Sequence, residues 1–153
     1  METTHKRENI KVKIVNRGSQ PLPEYETFEA AGMDVRANIS EPLTLQPMQR
    51  ALIPTGLAVQ LPPGLQIEMR PRSGLALKHG ISLVNTPGTV DADYRGEIGA
   101  IVINLSDSPY TVQPGERICQ MVVTPYLHVT WEKVDTIDRT ERGDGAFGHT
   151  GTN

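Results

Sequence analysis

The amino-acid sequence predicts an all-β domain, either a sandwich or a barrel. Three observations lead there. Apolar residues recur with period two in many short runs, the alternation of a strand with one buried face. The 14 glycines and 12 prolines sit between those runs as turn punctuation and are not pooled in a linker. No segment offers the dozen or more crossover residues in helical pattern that a parallel βαβ unit requires, and no repeat of fixed period suggests a solenoid or propeller.

The elements follow in order. Ile10–Ile14 sets Ile10, Val12 and Ile14 on one face and Lys11 and Lys13 on the other, a half-buried strand. Ala31–Ala37 reads as a turn around Asp34, near Gly32. Leu43–Leu45 is a short strand between Pro42 and Pro47. Ala51–Leu61 contains Pro54 and Gly56, so it bends or splits in two. Leu65–Met69 is a strand, and Gly74–His79 is a short helix with Ser73 as its N-cap. Ile81–Val84, Ile98–Leu105, Tyr110–Val112 and Ile118–Val123 complete the strands. From about Trp131 the chain turns polar and then glycine-rich, with too little apolar surface to fold alone. Residues 1–130 therefore form a β-rich domain and residues 131–153 an arm. The arm either frays or orders over a ligand, since Arg142 can fork onto phosphate and Phe147 can stack on a base.

Length and composition bound the function. At 153 residues and 37% hydrophobic content the chain suits one globular domain. A net charge of −3 argues against sequence-independent binding to duplex nucleic acid, but leaves room for a small anionic ligand. The longest apolar stretch, around Ala100–Ile103, is too short for a bilayer, and the polar start shows no apolar signal segment. Lone Cys119 excludes an intrachain disulfide and a cysteine-based zinc site, so the cytoplasm is expected. His5, His79, His128 and His149 are too scattered for metal-ligand spacing. No P-loop and no nucleophile elbow is present, and no Gly-x-Gly-x-x-Gly follows a strand.

Four polar clusters remain. In the first, Asp34 is either a turn residue or a group that meets a hard metal ion through water. In the second, Arg70–Lys78, the start of the helix aims backbone N–H groups at an anion with Arg72 and Lys78 alongside. In the third, Asn85–Gly96, Asp91 and Asp93 share one face of a strand. They are solvated, metal-binding, or include a general base that orients a water. Tyr94 packs or serves as a platform. In the fourth, Pro114–Val123, Gln120 lies among apolar neighbours and needs a partner, either a ligand oxygen or an adjacent strand.

In this order, the four clusters and the arm resemble the five motifs of the trimeric dUTPase family, the deoxyuridine triphosphate nucleotidohydrolases. The resemblance runs from Ala31 to Gly151 and includes the pattern Gly-x-x-Asp-x-Asp-Tyr-x-Gly at Gly88–Gly96. It implies a jelly-roll-like β-barrel or sandwich, a homotrimer with active sites at subunit interfaces, and Mg²⁺-assisted hydrolysis of dUTP to dUMP and pyrophosphate by water attack at the α-phosphorus. By position it implies Asp91 as the general base and Asp93 as structural. Asn85, Gly88 and the backbone at Thr89, Val90 and Gly99 would bind uracil, with Tyr94 under the deoxyribose. Arg72, Ser73, Gly74 and Gln120 would hold phosphates, and Asp34 would touch the Mg²⁺ hydration shell. Arg142 would clamp the γ-phosphate and Phe147 would cap the base, the arm closing over a neighbouring subunit's site. The arm departs from the family pattern at Ala146, where a glycine is usual, and at His149, where a serine is usual; Val90 stands where Ile or Leu is commoner. Two alternatives compete. A dCTP deaminase on the same fold would need a glutamate at the cytosine amino group, and Glu97, in strand context, is the nearby candidate. A non-catalytic nucleotide-sensing trimer would have no need of Asp91, Arg142 and Phe147 together.

Overall fold

The computed structural model describes residues 8–151; His5 and the first seven residues of the polar N-terminal stretch lie outside them. Among the described residues, eleven strands and one helix follow in the order β1 (Lys13–Asn16), β2 (Met33–Arg36), β3 (Leu43–Leu45), β4 (Arg50–Pro54), β5 (Leu57–Gln60), β6 (Leu65–Arg70), α1 (Ser73–His79), β7 (Ile81–Leu83), β8 (Gly88–Val90), β9 (Gly99–Asn104), β10 (Tyr110–Val112) and β11 (Arg117–Pro125). The pairings are all antiparallel and make four sheets, in the orders β1-β5, β10-β3, β2-β11-β6-β8 and β4-β9-β7. The all-β class read from the sequence holds. Among the described residues, no helix is long and apolar enough to cross a membrane.

Inward-facing residues from every sheet meet in one core that includes Val35, Leu45, Ile53, Ile67, Val102 and Val112. In β9 alternate residues Ala100, Val102 and Asn104 are buried, the period-two pattern that marks the strand in the sequence. Asn104 is fully buried and fully employed. Its amide donates to the carbonyls of Leu45 (2.9 Å) and Ser108 (2.8 Å), and its oxygen accepts from Ser106. Pro54 and Gly56 split the long run into β4 and β5, as expected.

Four local expectations are corrected. The first strand lies at Lys13–Asn16, not Ile10–Ile14, and all four of its residues are exposed. Its single partner is β5, and in the lone chain only Val12 of the alternating set packs partly against the core. The segment around Asp34 is strand β2, not a turn, because the carboxylate bonds two guanidinium groups instead of its own backbone. Ser73 is the first residue of α1 and not its cap; Arg72 takes the cap position in an extended conformation, with no side-chain cap bond. Asp91 and Asp93 do not share a strand face, because β8 ends at Val90 and both residues enter the following turn.

The helix ends at Gly80, whose φ of 65° is left-handed. A side chain there would also strike Ser106, with a Cβ only 2.9 Å from its backbone nitrogen. That sharp reversal returns the chain as β7, and the loop after it leads into β8, which pairs with β6.

Candidate active site

The loop before β8, β8 itself, the turn after it and the start of β9 line a pocket of about 180 Å³. A cavity of about 150 Å³ accommodates benzene, so this one is sized for a single six-membered ring. Asn85, Gly88, Thr89, Val90, Asp91, Tyr94 and Gly99, seven of the residues expected at the site, line it. Met69, Leu83, Glu97, Ile98, Ala100 and Ile101 complete the wall. β8 is outermost in its sheet, so one of its edges is not used in pairing. Gly88 is needed for close approach: a Cβ there would lie 3.1 Å from Asn85 Nδ2 and 3.2 Å from Met69 Cβ.

Asp91 and Tyr94 bracket a tight turn, with the Tyr94 N–H donating to the Asp91 carbonyl at 3.2 Å. Arg95 braces it, donating from Nη1 to the carbonyls of Ala92 (2.7 Å) and Tyr94 (3.2 Å). The Tyr94 ring folds back over Gly96 and its hydroxyl donates to the Glu97 carbonyl at 2.8 Å. Asp91 is exposed, and no group among the described residues bonds its carboxylate. Asp93 also makes no side-chain bond that steadies the turn; Arg95, passed over in the sequence, does that.

A second cluster lies where β2, β11 and the turn into α1 meet. Asp34 and Gln120 are cross-strand partners, and Gln120 pairs in turn with Arg70. Arg72 Nε donates to Asp34 Oδ1 at 3.1 Å and its Nη1 to the Arg117 carbonyl at 3.1 Å. Arg117 reaches Asp34 Oδ2 at 3.5 Å and Glu26 at 3.0 Å. Gln120 Nε2 donates to the Pro71 carbonyl at 3.0 Å, which steadies the turn carrying Arg72, Ser73 and Gly74. The other amide atom, Oε1, rests against Gly32, where a Cβ would come within 2.3 Å. Ser73 and Gly74 are exposed at the helix start. Arg117 escaped the sequence reading because a cation at a strand end carries no signal of its own.

Buried beneath the second cluster, Cys119 has its thiol pushed up to about 12, chiefly by burial and then by the Asp34 charge. The Tyr110 phenol is pushed well above its ordinary range by burial and by its hydrogen bond to Glu116.

The two clusters share no residue, and the arm joins neither. Phe147 is fully exposed, and Arg142 Nε is turned to the Gly145 carbonyl at 3.0 Å. The His149 ring lies against Gly145, where a Cβ would come 2.4 Å from Cδ2. Glu97, expected in a strand, precedes β9, and its carboxylate accepts the Gly56 N–H at 2.6 Å.

A family model described as dUTPase matches residues 18–151. The chain is 51% identical over 142 residues to the deoxyuridine 5'-triphosphate nucleotidohydrolase of Finegoldia magna, covering 93% of this chain and 99% of that protein. It is 54% identical over 142 residues to the enzyme of the same name from Fusobacterium nucleatum, covering 93% and 97%. Among solved structures, the dUTPase of Staphylococcus bacteriophage 80alpha with dUPNHPP superposes with a TM-score of 0.85 at 24% identity, covering 94% of this chain and 100% of that one. A mutant dUTPase from phage phi11 of S. aureus, described with a structural Mg(II) ion, gives 0.76 at 20% identity, covering 84% and 99%. At those identities the phage enzymes establish the fold alone. The family match runs through the ring-sized pocket, the arginine cluster and the arm, and with two relatives above half identity over nearly their whole lengths the chain belongs to the dUTPase family.

Proposed function

We propose that this protein hydrolyses dUTP to dUMP and pyrophosphate, limiting uracil entry into DNA, at sites completed between copies of a homotrimer in the cytoplasm. The observation that carries the reading is a carboxylate, Asp91, standing exposed in the wall of a ring-sized pocket. Asp93 is equally unbonded but does not line that pocket; Asp91 does, with its lone pairs available to a water beside a bound ring, as a general base requires.

Uracil enters the pocket, where Asn85 and the backbone at Thr89, Val90 and Gly99 meet its polar edge. Gly88 allows that approach, and the narrow pocket excludes a thymine methyl. Tyr94 lies under the sugar and leaves no space for a 2′-hydroxyl. Asp91 accepts a proton from the water that attacks the α-phosphorus. Arg72, Ser73, Gly74 and Gln120, contributed by a second copy, hold the phosphates. Arg142 clamps the γ-phosphate, and Phe147 covers the base and sheds bulk water. The two clusters share no lining residue within one chain, and residues 127–151 lie almost wholly exposed, which supports completion by other copies.

Mg²⁺ fits this arrangement as a substrate-borne ion. The described residues hold no group of three or more His, Cys, Asp or Glu that could cage a metal. Mg²⁺ commonly keeps its waters and relies on one or two carboxylates plus substrate phosphates. Asp34 would meet it through water, each carboxylate oxygen having acceptor capacity beyond its arginine bond. When bound, the ion neutralises charge on the leaving pyrophosphate.

Pyrophosphate release from dUTP, UTP, dTTP and dCTP with Mg²⁺ tests the reaction and the pocket together; release from dUTP alone is expected. Mixing Asp91→Asn chains with chains truncated after Glu141 tests the shared site. Partial recovery of activity is expected, and none would place the site within one subunit. A deaminase is disfavoured because the Glu97 carboxylate is engaged by Gly56.

A further inference from the structure

We infer that Glu97 is a positioning residue whose carboxylate fixes the segment supporting Tyr94, and so sets how strictly the pocket rejects a ribose. The inference rests on the assignment of Tyr94 as the sugar platform.

The Thr55–Leu57 turn between β4 and β5 grips the chain just before β9. The Ile98 N–H donates to the Leu57 carbonyl at 2.7 Å, and the buried Thr55 hydroxyl donates to the Ile98 carbonyl at 2.6 Å. Glu97 adds the grip that comes from a pocket-lining side chain, with Oε1 accepting the Gly56 N–H at 2.6 Å. That donor is held from behind. The Gly56 carbonyl accepts the Arg17 N–H at 2.8 Å, φ at Gly56 is 74°, and a Cβ there would lie 2.7 Å from Gly18 Cα. The anchor is rigid, and a carboxylate accepting a backbone N–H is among the stronger hydrogen bonds.

The same residue holds Tyr94 at its other end, through the Glu97 carbonyl and the Tyr94 hydroxyl. The Tyr94 N–H then reaches the Asp91 carbonyl. A continuous path of hydrogen bonds thus runs from Gly56 through Glu97 and Tyr94 to the turn that carries Asp91. Tyr94 is 44% exposed, so packing alone does not fix its ring. Leu57 still holds the Glu97–Ile98 peptide when the carboxylate is removed, but the Cα side of Glu97 and the Gly96 backbone under the Tyr94 ring lose their anchor, and the ring drifts with them.

The test is steady-state kinetics on dUTP and UTP for Glu97→Ala, Glu97→Gln and Tyr94→Ala, with melting temperatures for each. Glu97→Ala should cut the dUTP-to-UTP ratio of kcat/KM about tenfold, the consequence of losing one charge-assisted bond. Glu97→Gln keeps an acceptor oxygen and should stay within about twofold of the parent. An unchanged ratio in Glu97→Ala beside a collapsed ratio in Tyr94→Ala would overturn the inference and leave the platform reading standing. An unchanged ratio in Tyr94→Ala would overturn both. A Glu97→Gln variant as permissive as Glu97→Ala would assign the effect to charge and overturn positioning. Should Glu97→Ala not fold, Glu97→Asp, one methylene too short to reach Gly56, replaces it with the same expectations.

Discussion

Substituting Gly96 by alanine separates stability from function at the pocket. The Gly96 backbone is not left-handed, so alanine is sterically acceptable to the main chain itself. The difficulty is the Tyr94 ring. A Cβ on Gly96 would stand 2.5 Å from the Tyr94 hydroxyl oxygen and 2.6 Å from Cζ. Carbon contacts settle near 3.5–4.0 Å, so the ring must move by about 1 Å. That motion breaks the bond of 2.8 Å to the Glu97 carbonyl. The bond is exposed, so its net loss is only about 1 kcal/mol, a fall in Tm of about 2–4 °C for a domain of this size. Function should suffer far more, since displacement of a positioning group by about 1 Å can cost about 100-fold. Kinetics on dUTP and UTP beside differential scanning calorimetry would measure both. The expectation is a small Tm change with a large loss of kcat/KM for dUTP and relaxed rejection of UTP. Parent-like kinetics would refute the reasoning, because they would mean that the Tyr94 ring does not serve the bound sugar.

Three further outcomes are expected. Asp91→Asn should lower kcat by about 10²- to 10⁴-fold with little change in dUTP affinity, read by single-turnover kinetics and calorimetric titration; an unchanged kcat would remove Asp91 from proton transfer. Truncation after Glu141 should leave the Tm within about 1 °C, because the deleted residues are almost wholly exposed, while activity becomes weak; full activity would make the arm a frayed end. Cys119 should resist a thiol reagent in the folded protein at pH 7–9 and react at once after unfolding. Its folded pKa of about 12 lies above the ordinary 9.0, so the unfolded chain ionises first. Its contribution to stability is therefore intact below about pH 9 and lost as pH rises toward 12, and urea titrations at pH 8 and pH 10 would reveal the decline.

Strand order along the chain was largely legible, because β3 and β10 are bounded by turn residues and β9 alternates cleanly. The first strand was misplaced for a reason that lies in assembly of layers. Ile10, Val12 and Ile14 alternate perfectly, yet β1 has one neighbour and no covering layer in the lone chain, so the pattern does not become burial. Asp34 misled because its residue type favours turns, whereas tertiary pairing with Arg72 and Arg117 holds it in a strand. The members of the pocket were legible where they fall in one contiguous motif, Asn85–Tyr94. Glu97 was legible only as a candidate for a competing deaminase reading, since only the fold reveals that Gly56, 41 positions earlier, occupies its carboxylate. Arg95 holds the backbone carbonyls of its own turn and Arg117 the carboxylates of other segments, and neither residue type announces such a role in the sequence.

The charges around the second cluster bear on how a triphosphate would be held. Arg72 and Arg117 are opposed by Asp34 and Glu26, two cations against two anions in mutual contact. The cluster therefore has no spare positive charge; it offers donors of fixed direction, since the Asp34 carboxylate aims both guanidinium groups. The charge needed to hold a triphosphate must come from elsewhere, and the proposed sources are the metal ion and Arg142. Each would then be worth more when the other is missing. Truncation after Glu141 should steepen the dependence of dUTP affinity on Mg²⁺ concentration, and Arg142→Ala should do the same without shortening the arm. Titrating Mg²⁺ against both variants measures this coupling directly. Parallel Mg²⁺ curves for parent and variants would mean that the two act independently, and that the paired cluster holds the phosphates by charge of its own.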